Sequence, residues 1–104
     1  MFNVEVLTSA ERDLHKIVDY ISNELYNPDA ALNLIDEFET AILKLADFPE
    51  MYSVHETDVT DVIFRKIAIK NYVVFYTLQD NIVYIAFVFH QLQDFDIVLK
   101  TFKF

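Results

Sequence analysis

Three runs of β-branched and aromatic residues, at positions 62–69, 72–77 and 82–89, constrain the fold of this chain more than any other feature. Such residues favour strands. Only Lys70-Asn71 separates the first two runs, and the break before the third run contains Gln79-Asp80-Asn81. Connections this short join antiparallel strands, because a parallel pair needs a crossover of a dozen or more residues. The sequence therefore predicts a three-stranded antiparallel meander.

The residues before the meander predict one strand followed by a helix. Apolar and polar residues alternate from Phe2 to Val6, as is typical of a short strand. Thr8 and Glu11 have the spacing of a capping box, so we expect a helix that starts at Thr8 and is capped by its hydroxyl. The apolar residues that follow recur at steps of three and four and form one helical stripe. They are Ala10, Leu14, Ile17, Val18, Ile21 and Leu25.

A second helix is predicted to begin at Asn27-Pro28, because Asn is a good N-cap and Pro is tolerated in the first helical turn. Phe48-Pro49 is expected to end it. Its stripe consists of Ala31, Leu34, Ile35, Phe38, Ile42 and Leu45. The short connection makes the two helices an antiparallel hairpin.

The last two strands are apolar on both faces, which an antiparallel sheet shows only when both faces are covered. The helical hairpin can cover one face. The other must be covered by the C-terminal tail or by another chain. In the tail the apolar residues with helical spacing are Leu92, Phe95, Val98 or Leu99, and Phe102.

The 104 residues include no glycine, cysteine or tryptophan, and 54% are hydrophobic. Without glycine the chain lacks the phosphate-binding loops and nucleophile elbows that depend on it, and without cysteine it lacks thiol chemistry and cysteine-ligated zinc. Both strand breaks use Asn or Asp, which tolerate the left-handed conformation better than other residues with a Cβ. We expect one domain over residues 1–104.

The net charge of −9 argues against non-specific binding to nucleic acid. Residues 1–61 hold 14 acids and 3 bases, whereas residues 62–104 hold 3 acids and 5 bases. Any site for a polyanion is therefore expected in the C-terminal part. The N-terminus lacks the pattern of a signal peptide and the apolar runs are too short to span a bilayer, so we expect a cytoplasmic protein without a membrane partner.

Several short motifs follow one another over nearly the whole chain. They are Thr8 to Leu14, Ile17 with Tyr20-Ile21, Asn27 to Ala31 with Leu34, Ile42 with Leu45 and Phe48-Pro49, Arg65-Lys66-Ile67, Asn71 to Tyr76, His90 and Asp94. In this order and spacing they resemble the RelE/ParE superfamily of type II toxin–antitoxin toxins, also described as plasmid-stabilisation proteins.

This resemblance implies an α+β fold: a β-strand, an α-helical hairpin, and then a three-stranded antiparallel meander in one twisted sheet, with a short C-terminal helix or strand. It also implies a toxin that arrests growth and is neutralised by its cognate antitoxin. Members of the superfamily differ in their targets. Some cleave mRNA on the ribosome, and others poison DNA gyrase without being nucleases.

For an RNA-cleaving activity, the residues that match the family's catalytic positions are Arg65, Lys66 and His90. An Arg could stabilise charge on a phosphate by a two-pronged contact. Structural alternatives exist for two of them: Arg65 could pair with the acidic segment Glu56-Thr57-Asp58 of the 51–61 loop, and His90 could simply end its strand. Gln93 and Phe95 stand where the family often has an arginine and an aromatic hydroxyl, so a nuclease is the alternative rather than the main hypothesis.

The main hypothesis is an interaction protein that is ParE-like, with a protein target such as gyrase, or has an unassigned target. A degenerate, non-toxic antitoxin-binding protein is a further alternative. The expected antitoxin-binding residues are Tyr72 and Tyr76, which share a strand face, and Phe95 and Phe102 in the tail. Core packing is the alternative for the two tyrosines. No cofactor or metal is expected, because His55, Glu56 and Asp58 lack a fixed ligand spacing and are interpreted as a solvated loop.

Overall fold

The computed structural model describes residues 2–104. The elements in chain order are β1 (Asn3–Val6), α1 (Thr8–Asp19), α2 (Pro28–Asp47), β2 (Phe64–Ile69), β3 (Tyr72–Gln79), β4 (Ile82–His90) and α3 (Phe95–Leu99). Helix α1 continues directly into a π-helical turn, Tyr20–Glu24. The predicted strand, helical hairpin and meander are all present, although β2 begins two residues later than the apolar run.

The four strands form one mixed sheet in the order β1-β4-β3-β2. β2, β3 and β4 are antiparallel neighbours, which confirms the meander. β1 lies parallel to β4, with Val4 opposite Val83. The helical hairpin lies within the long connection that such a parallel pair needs. β1 and β2 are therefore the two edges of the sheet.

The turns show how a chain without glycine forms tight connections. Asp80 and Asn81 both have positive φ, at 52° and 65°. Two consecutive left-handed residues suit the twist of a hairpin, as the sequence predicts for this break. At the β2–β3 turn the positive φ of 54° belongs to Lys70 rather than to Asn71. Tyr26 also has positive φ, at 52°, just after the π-helical turn.

The two long helices begin differently. Asn27 caps α2 as predicted, since its side-chain oxygen accepts the amide of Ala30 at 3.2 Å. The predicted capping box of α1 is wrong: the N-cap position is Leu7, and no side chain caps it. The chain passes from β1 straight into the helix, because the Leu7 amide still donates to the Ile85 carbonyl at 2.9 Å. Ser9 uses its hydroxyl to bind the Ala86 carbonyl across this junction.

Two hydrophobic clusters lie on opposite faces of the sheet. The first lies between the sheet and the helices and contains Leu34, Leu45 and Ile85. The second contains Phe64, Phe75, Phe87, Phe89 and Leu99, and we name it the aromatic face.

A β-bulge divides the residues of β4 between the two clusters. Phe75 pairs with Phe87 but the next residue, Tyr76, pairs with Ile85, which leaves Ala86 as the extra residue. A bulge of this kind breaks the alternation of side chains between the two faces. Ala86 and Phe87 consequently both join the aromatic face, while Ile85 packs under the helices.

The C-terminal segment covers the aromatic face, which confirms one of the two predicted ways of burying it. Leu99 is fully buried there, and the Phe95 and Phe102 rings pack around it. The Phe95 ring lies 5.0 Å from the Phe75 ring and 5.8 Å from the Phe89 ring. Among residues 2–104, no helix combines the length and the apolar composition that crossing a bilayer requires.

Candidate functional site

Arg65 lies on the helix-facing side of β2, where its guanidinium binds the backbone of the preceding loop. Its Nη1 donates to the Tyr52 carbonyl at 2.7 Å and to the Glu50 carbonyl at 3.3 Å. The predicted alternative, an ion pair with acidic residues of the 51–61 loop, is absent within residues 2–104. Arg65 thus holds the segment that follows α2 against β2.

Lys66 projects from the opposite side of β2 and meets a histidine. Its Nζ lies 3.3 Å from Nδ1 of His55, and the other ring nitrogen, Nε2, lies 3.1 Å from Oδ1 of Asp96 in α3. The imidazole also lies edge-on to Phe75, at a centroid distance of 5.1 Å. An ammonium can only donate and a carboxylate can only accept, so this arrangement suits a neutral imidazole with its proton on Nε2.

This network joins the 51–61 loop, the sheet and α3. The prediction of a solvated loop is wrong for His55, whose side chain is only 14% exposed. The sequence carries no signal for the contact with Asp96, because the two residues are 41 positions apart and belong to different elements. No group of His, Asp and Glu in residues 2–104 is arranged to hold a metal ion.

His90 ends β4 on the helix-facing side, at the other end of the sheet. Its ring packs edge-on against Tyr72 at 5.6 Å, and its Nδ1 accepts the Leu92 amide at 3.2 Å. The side-chain oxygen of Gln93 accepts the His90 amide at 2.8 Å. Gln93 therefore stabilises the end of the strand at the position where the family often has an arginine. These residues border a cleft of about 290 Å³ that Lys16 of α1 also lines.

The three residues proposed for RNA cleavage do not converge. Lys66 of β2 pairs with Phe75 of β3, which in turn pairs with Phe87 of β4. His90 lies three residues after Phe87 in β4. With about 4.8 Å between strands and about 3.3 Å per residue, the backbones of Lys66 and His90 are about 14 Å apart. Arg65 is further still from His90, and it lies on the face opposite to Lys66. No single phosphate can contact all three.

Asp13 is a half-buried carboxylate between α1 and β4. Its Oδ2 accepts the amide of Val88 at 3.0 Å. Burial raises the pKa of Asp13 above its ordinary value, although the Val88 amide and the positive charges of Lys16 and Arg12 act in the opposite direction. The carboxylate thus satisfies a buried amide next to the bulge in β4.

We expect Asp13→Ala to lower the free energy of unfolding by about 1–3 kcal/mol, because it leaves the Val88 amide without a partner. Asp13→Asn keeps an acceptor oxygen and should cost less. The pKa of Asp13 is raised in the folded state. The wild type should therefore gain stability relative to Asp13→Asn as the pH falls through this raised pKa. Urea unfolding at neutral and mildly acidic pH measures both effects. Equal losses for the two variants would contradict this role.

The four residues proposed to bind an antitoxin lie in different environments. Tyr76 is fully buried, and its hydroxyl donates to the Pro49 carbonyl at 2.6 Å. It is therefore a core residue, as the structural alternative predicts. Tyr72 is partly exposed and packs at the edge of the helix-facing cluster. Phe95 and Phe102 pack on the aromatic face and expose only part of their rings.

Comparison of the sequence with models of known protein families shows the family of this chain. The family described as the ParE toxin of the type II toxin–antitoxin system, parDE, matches residues 4–95. The chain therefore belongs to the ParE toxin family, within the superfamily that the sequence motifs indicate.

Solved structures share this fold. A chain of the chromosomal ParDE toxin–antitoxin system from P. aeruginosa superposes with a TM-score of 0.70 at 14% sequence identity, covering 86% of this chain and 96% of that one. A chain of the RelBE2 toxin–antitoxin complex from Mycobacterium tuberculosis has a TM-score of 0.54 at 22% identity, with the same two coverages. No curated protein matches the sequence.

Proposed function

We propose that this ParE-family toxin acts on a protein target such as DNA gyrase, and that a cognate antitoxin silences it by binding. The observation that carries the proposal is the separation of Arg65, Lys66 and His90. Cleavage of RNA by its 2′-hydroxyl needs a base, a cation and an acid around one phosphate. The two faces and two ends of the sheet keep these groups apart.

The side chains themselves support the same conclusion. Arg65 already uses its guanidinium to bind two backbone carbonyls. The His90 Nδ1 accepts a backbone amide, which leaves only Nε2 for other contacts. Gln93 carries no charge with which to stabilise a phosphate. These groups have structural roles that do not require a nucleic acid.

Charge also favours a protein target over the ribosome. At −9 the long-range field opposes approach to ribosomal RNA. Against a protein, complementary patches and a few buried anchor residues determine the affinity. The chain exposes several large apolar side chains that could supply such anchors, among them Tyr26, Leu43, Phe48 and Leu92.

An antitoxin partner is supported by the family and by the fold that this chain shares with chains of the ParDE and RelBE2 toxin–antitoxin systems. Of the four residues proposed to contact it, Tyr72, Phe95 and Phe102 have accessible surface and Tyr76 has none. We therefore retain the first three in the proposal. Tyr76 is left out because its side chain is enclosed.

The proposal is tested by expressing the chain without its antitoxin. We expect growth arrest with loss of plasmid supercoiling and with intact transcripts, and we expect the purified chain to inhibit supercoiling by purified gyrase. Transcripts are mapped by primer extension in the same cultures. Co-expression of the antitoxin should restore growth.

Two other results would each indicate an alternative function. Cuts in mRNA that depend on translation, and that disappear in the His90→Ala and Arg65→Ala variants, would identify a ribosome-dependent endoribonuclease. Normal growth despite soluble expression would contradict both active-toxin hypotheses and leave the non-toxic antitoxin-binding protein as the alternative. Either result contradicts the proposed protein target, and the second contradicts toxicity altogether.

A further inference from the structure

The segment 23–29, which joins α1 to α2, is exposed at every position. It begins in the π-helical turn, where the Leu25 amide donates to the Tyr20 carbonyl at 3.0 Å. Such turns hold one residue more than an α-helical turn and are frequent at functional sites. We name residues 19–29 the hairpin tip. Its exposure leaves it available to another molecule.

Tyr26 occupies a position in the hairpin tip that ordinarily suits glycine. It directly follows Leu25, the C-cap of the π-helical turn, and its φ is 52°. Gly or Asn usually fills this left-handed position after a helix, because a Cβ crowds the backbone there. A tyrosine with positive φ therefore makes the folded chain less stable than a glycine would.

The side chain of Tyr26 does not offset this strain by packing within the chain. It is 86% exposed and belongs to neither of the hydrophobic clusters formed by residues 2–104. Strained backbone conformations concentrate at functional sites, where they are part of how the protein works. A contact with another molecule accounts for both the strain and the exposure of Tyr26.

Two further large apolar side chains of the hairpin tip are exposed. Leu25, which precedes Tyr26, is 54% exposed, and Tyr20, one π-helical turn before Leu25, is 50% exposed. Tyrosine is enriched among the residues that contribute most to protein–protein affinity, and such residues fill well-packed apolar pockets of the partner. The hairpin tip thus offers anchors for a protein with an apolar pocket.

Carboxylates accompany these apolar side chains. The hairpin tip contains Asp19, Glu24 and Asp29 but no Lys or Arg. All three acids are exposed, and within residues 2–104 none of them forms an ion pair. Negative charge of this kind complements a basic partner surface. An enzyme that binds DNA has such surfaces, because its Lys and Arg side chains neutralise phosphates.

We propose that the hairpin tip is the surface with which this toxin binds its protein target. Tyr26 is the anchor, and it enters an apolar pocket that Lys or Arg side chains of the target border. The proposal rests on the proposed function and names the part of the chain that contacts the target. The residues proposed to contact the antitoxin, Tyr72, Phe95 and Phe102, lie outside the hairpin tip. The toxin thus uses different residues for its two partners.

The first test is Tyr26→Gly in the full chain, which removes the anchor and also relieves the backbone. The dissociation constant for purified DNA gyrase, measured by calorimetry, should rise by at least about tenfold, as is usual for loss of an aromatic anchor. Growth arrest should weaken, whereas the urea midpoint of unfolding should stay equal or increase. The control is Lys70→Gly, which makes the same backbone change at an exposed residue with a φ of 54°. Its affinity for gyrase should equal that of the wild type.

The second test reverses one charge of the hairpin tip. Glu24→Lys should weaken gyrase binding and make the affinity less sensitive to salt, because it replaces an attraction to the basic surface by a repulsion. Glu39→Lys is the matched control, since it makes the same change at an exposed position of α2 outside the hairpin tip. It should bind gyrase more tightly than Glu24→Lys does.

Wild-type gyrase affinity in both Tyr26→Gly and Glu24→Lys would overturn the hairpin tip as the target contact and leave the proposed function intact. A lower urea midpoint for Tyr26→Gly would show that the side chain stabilises the fold, and it would overturn the proposal too. So would an equal loss of affinity for the antitoxin, which would assign the hairpin tip to that partner. Failure of the wild type to bind gyrase would instead overturn the proposed target. Undiminished growth arrest by Tyr26→Gly would then still overturn the hairpin tip.

Discussion

Phe75→Ala is expected to lower the free energy of unfolding by about 3–5 kcal/mol, the usual range for removing a large aromatic side chain from a core. Phe75 is fully buried at the centre of the aromatic face. Its ring lies 5.0 Å from Phe95, 5.1 Å from His55 and 5.5 Å from Phe89. Because a small domain is stable by only about 5–15 kcal/mol, this loss should be evident in urea unfolding followed by circular dichroism.

The matched control is Phe104→Ala, which removes the same ring from a position that is 64% exposed. It should change the free energy of unfolding by no more than about 0.5 kcal/mol, as is usual for surface substitutions. If Phe75→Ala were equally mild, α3 would not be held on the sheet by the rings of the aromatic face. The covering of the aromatic face by the tail would then need another explanation.

Tyr76→Phe is the second substitution with a large expected effect. It removes the hydroxyl that donates to the Pro49 carbonyl at 2.6 Å, and Pro49 is itself buried. A buried carbonyl without a partner should lower the free energy of unfolding by about 1–3 kcal/mol. Because Tyr76 has no accessible surface, the folded variant should bind the antitoxin as the wild type does. A large loss of affinity with unchanged stability would contradict its role as a core residue.

The same variant makes a pH dependence measurable. Burial raises the pKa of Tyr76 from 10.0 to about 12, although the positive charge of Arg65 acts in the opposite direction. Above pH 10 the unfolded chain loses this proton first, so the unfolded state is favoured and stability falls as the pH rises toward 12. Tyr76→Phe lacks this contribution. The difference in stability between wild type and variant should therefore narrow across that range, and a constant difference would contradict the raised pKa.

Most of the fold is predictable from local patterns. The three β runs and their short breaks predict the meander, and the two apolar stripes predict the helical hairpin. Asn27 caps α2 as predicted, because its side-chain oxygen can accept a free amide of the first helical turn. The apolar character of both faces of β3 and β4 also predicts that the tail or another chain covers one of them, and α3 does so. These inferences hold because each depends on residues close together in the sequence.

The sequence predictions that are wrong concern residues where a local signal competes with a contact to a distant part of the chain. The capping box at Thr8 is not used, because Leu7 remains bonded to Ile85 across the sheet and the helix begins without a side-chain cap. His55 looks like part of a polar loop, but its ring is enclosed by residues of three other elements. Motif matching places Arg65 and Lys66 together because they are adjacent in sequence. Alternation along a strand sends them to opposite faces.

By itself, the sequence determined the order and type of the elements, the family, and a sheet that is apolar on both faces, because periodicity and turn chemistry depend on neighbouring residues. Only the tertiary structure decided which side chains share a site, because that depends on strand register and on the bulge at Ala86. Register keeps Arg65, Lys66 and His90 apart and encloses Tyr76. These features are the basis for proposing a toxin that acts through protein contacts rather than by cleaving RNA.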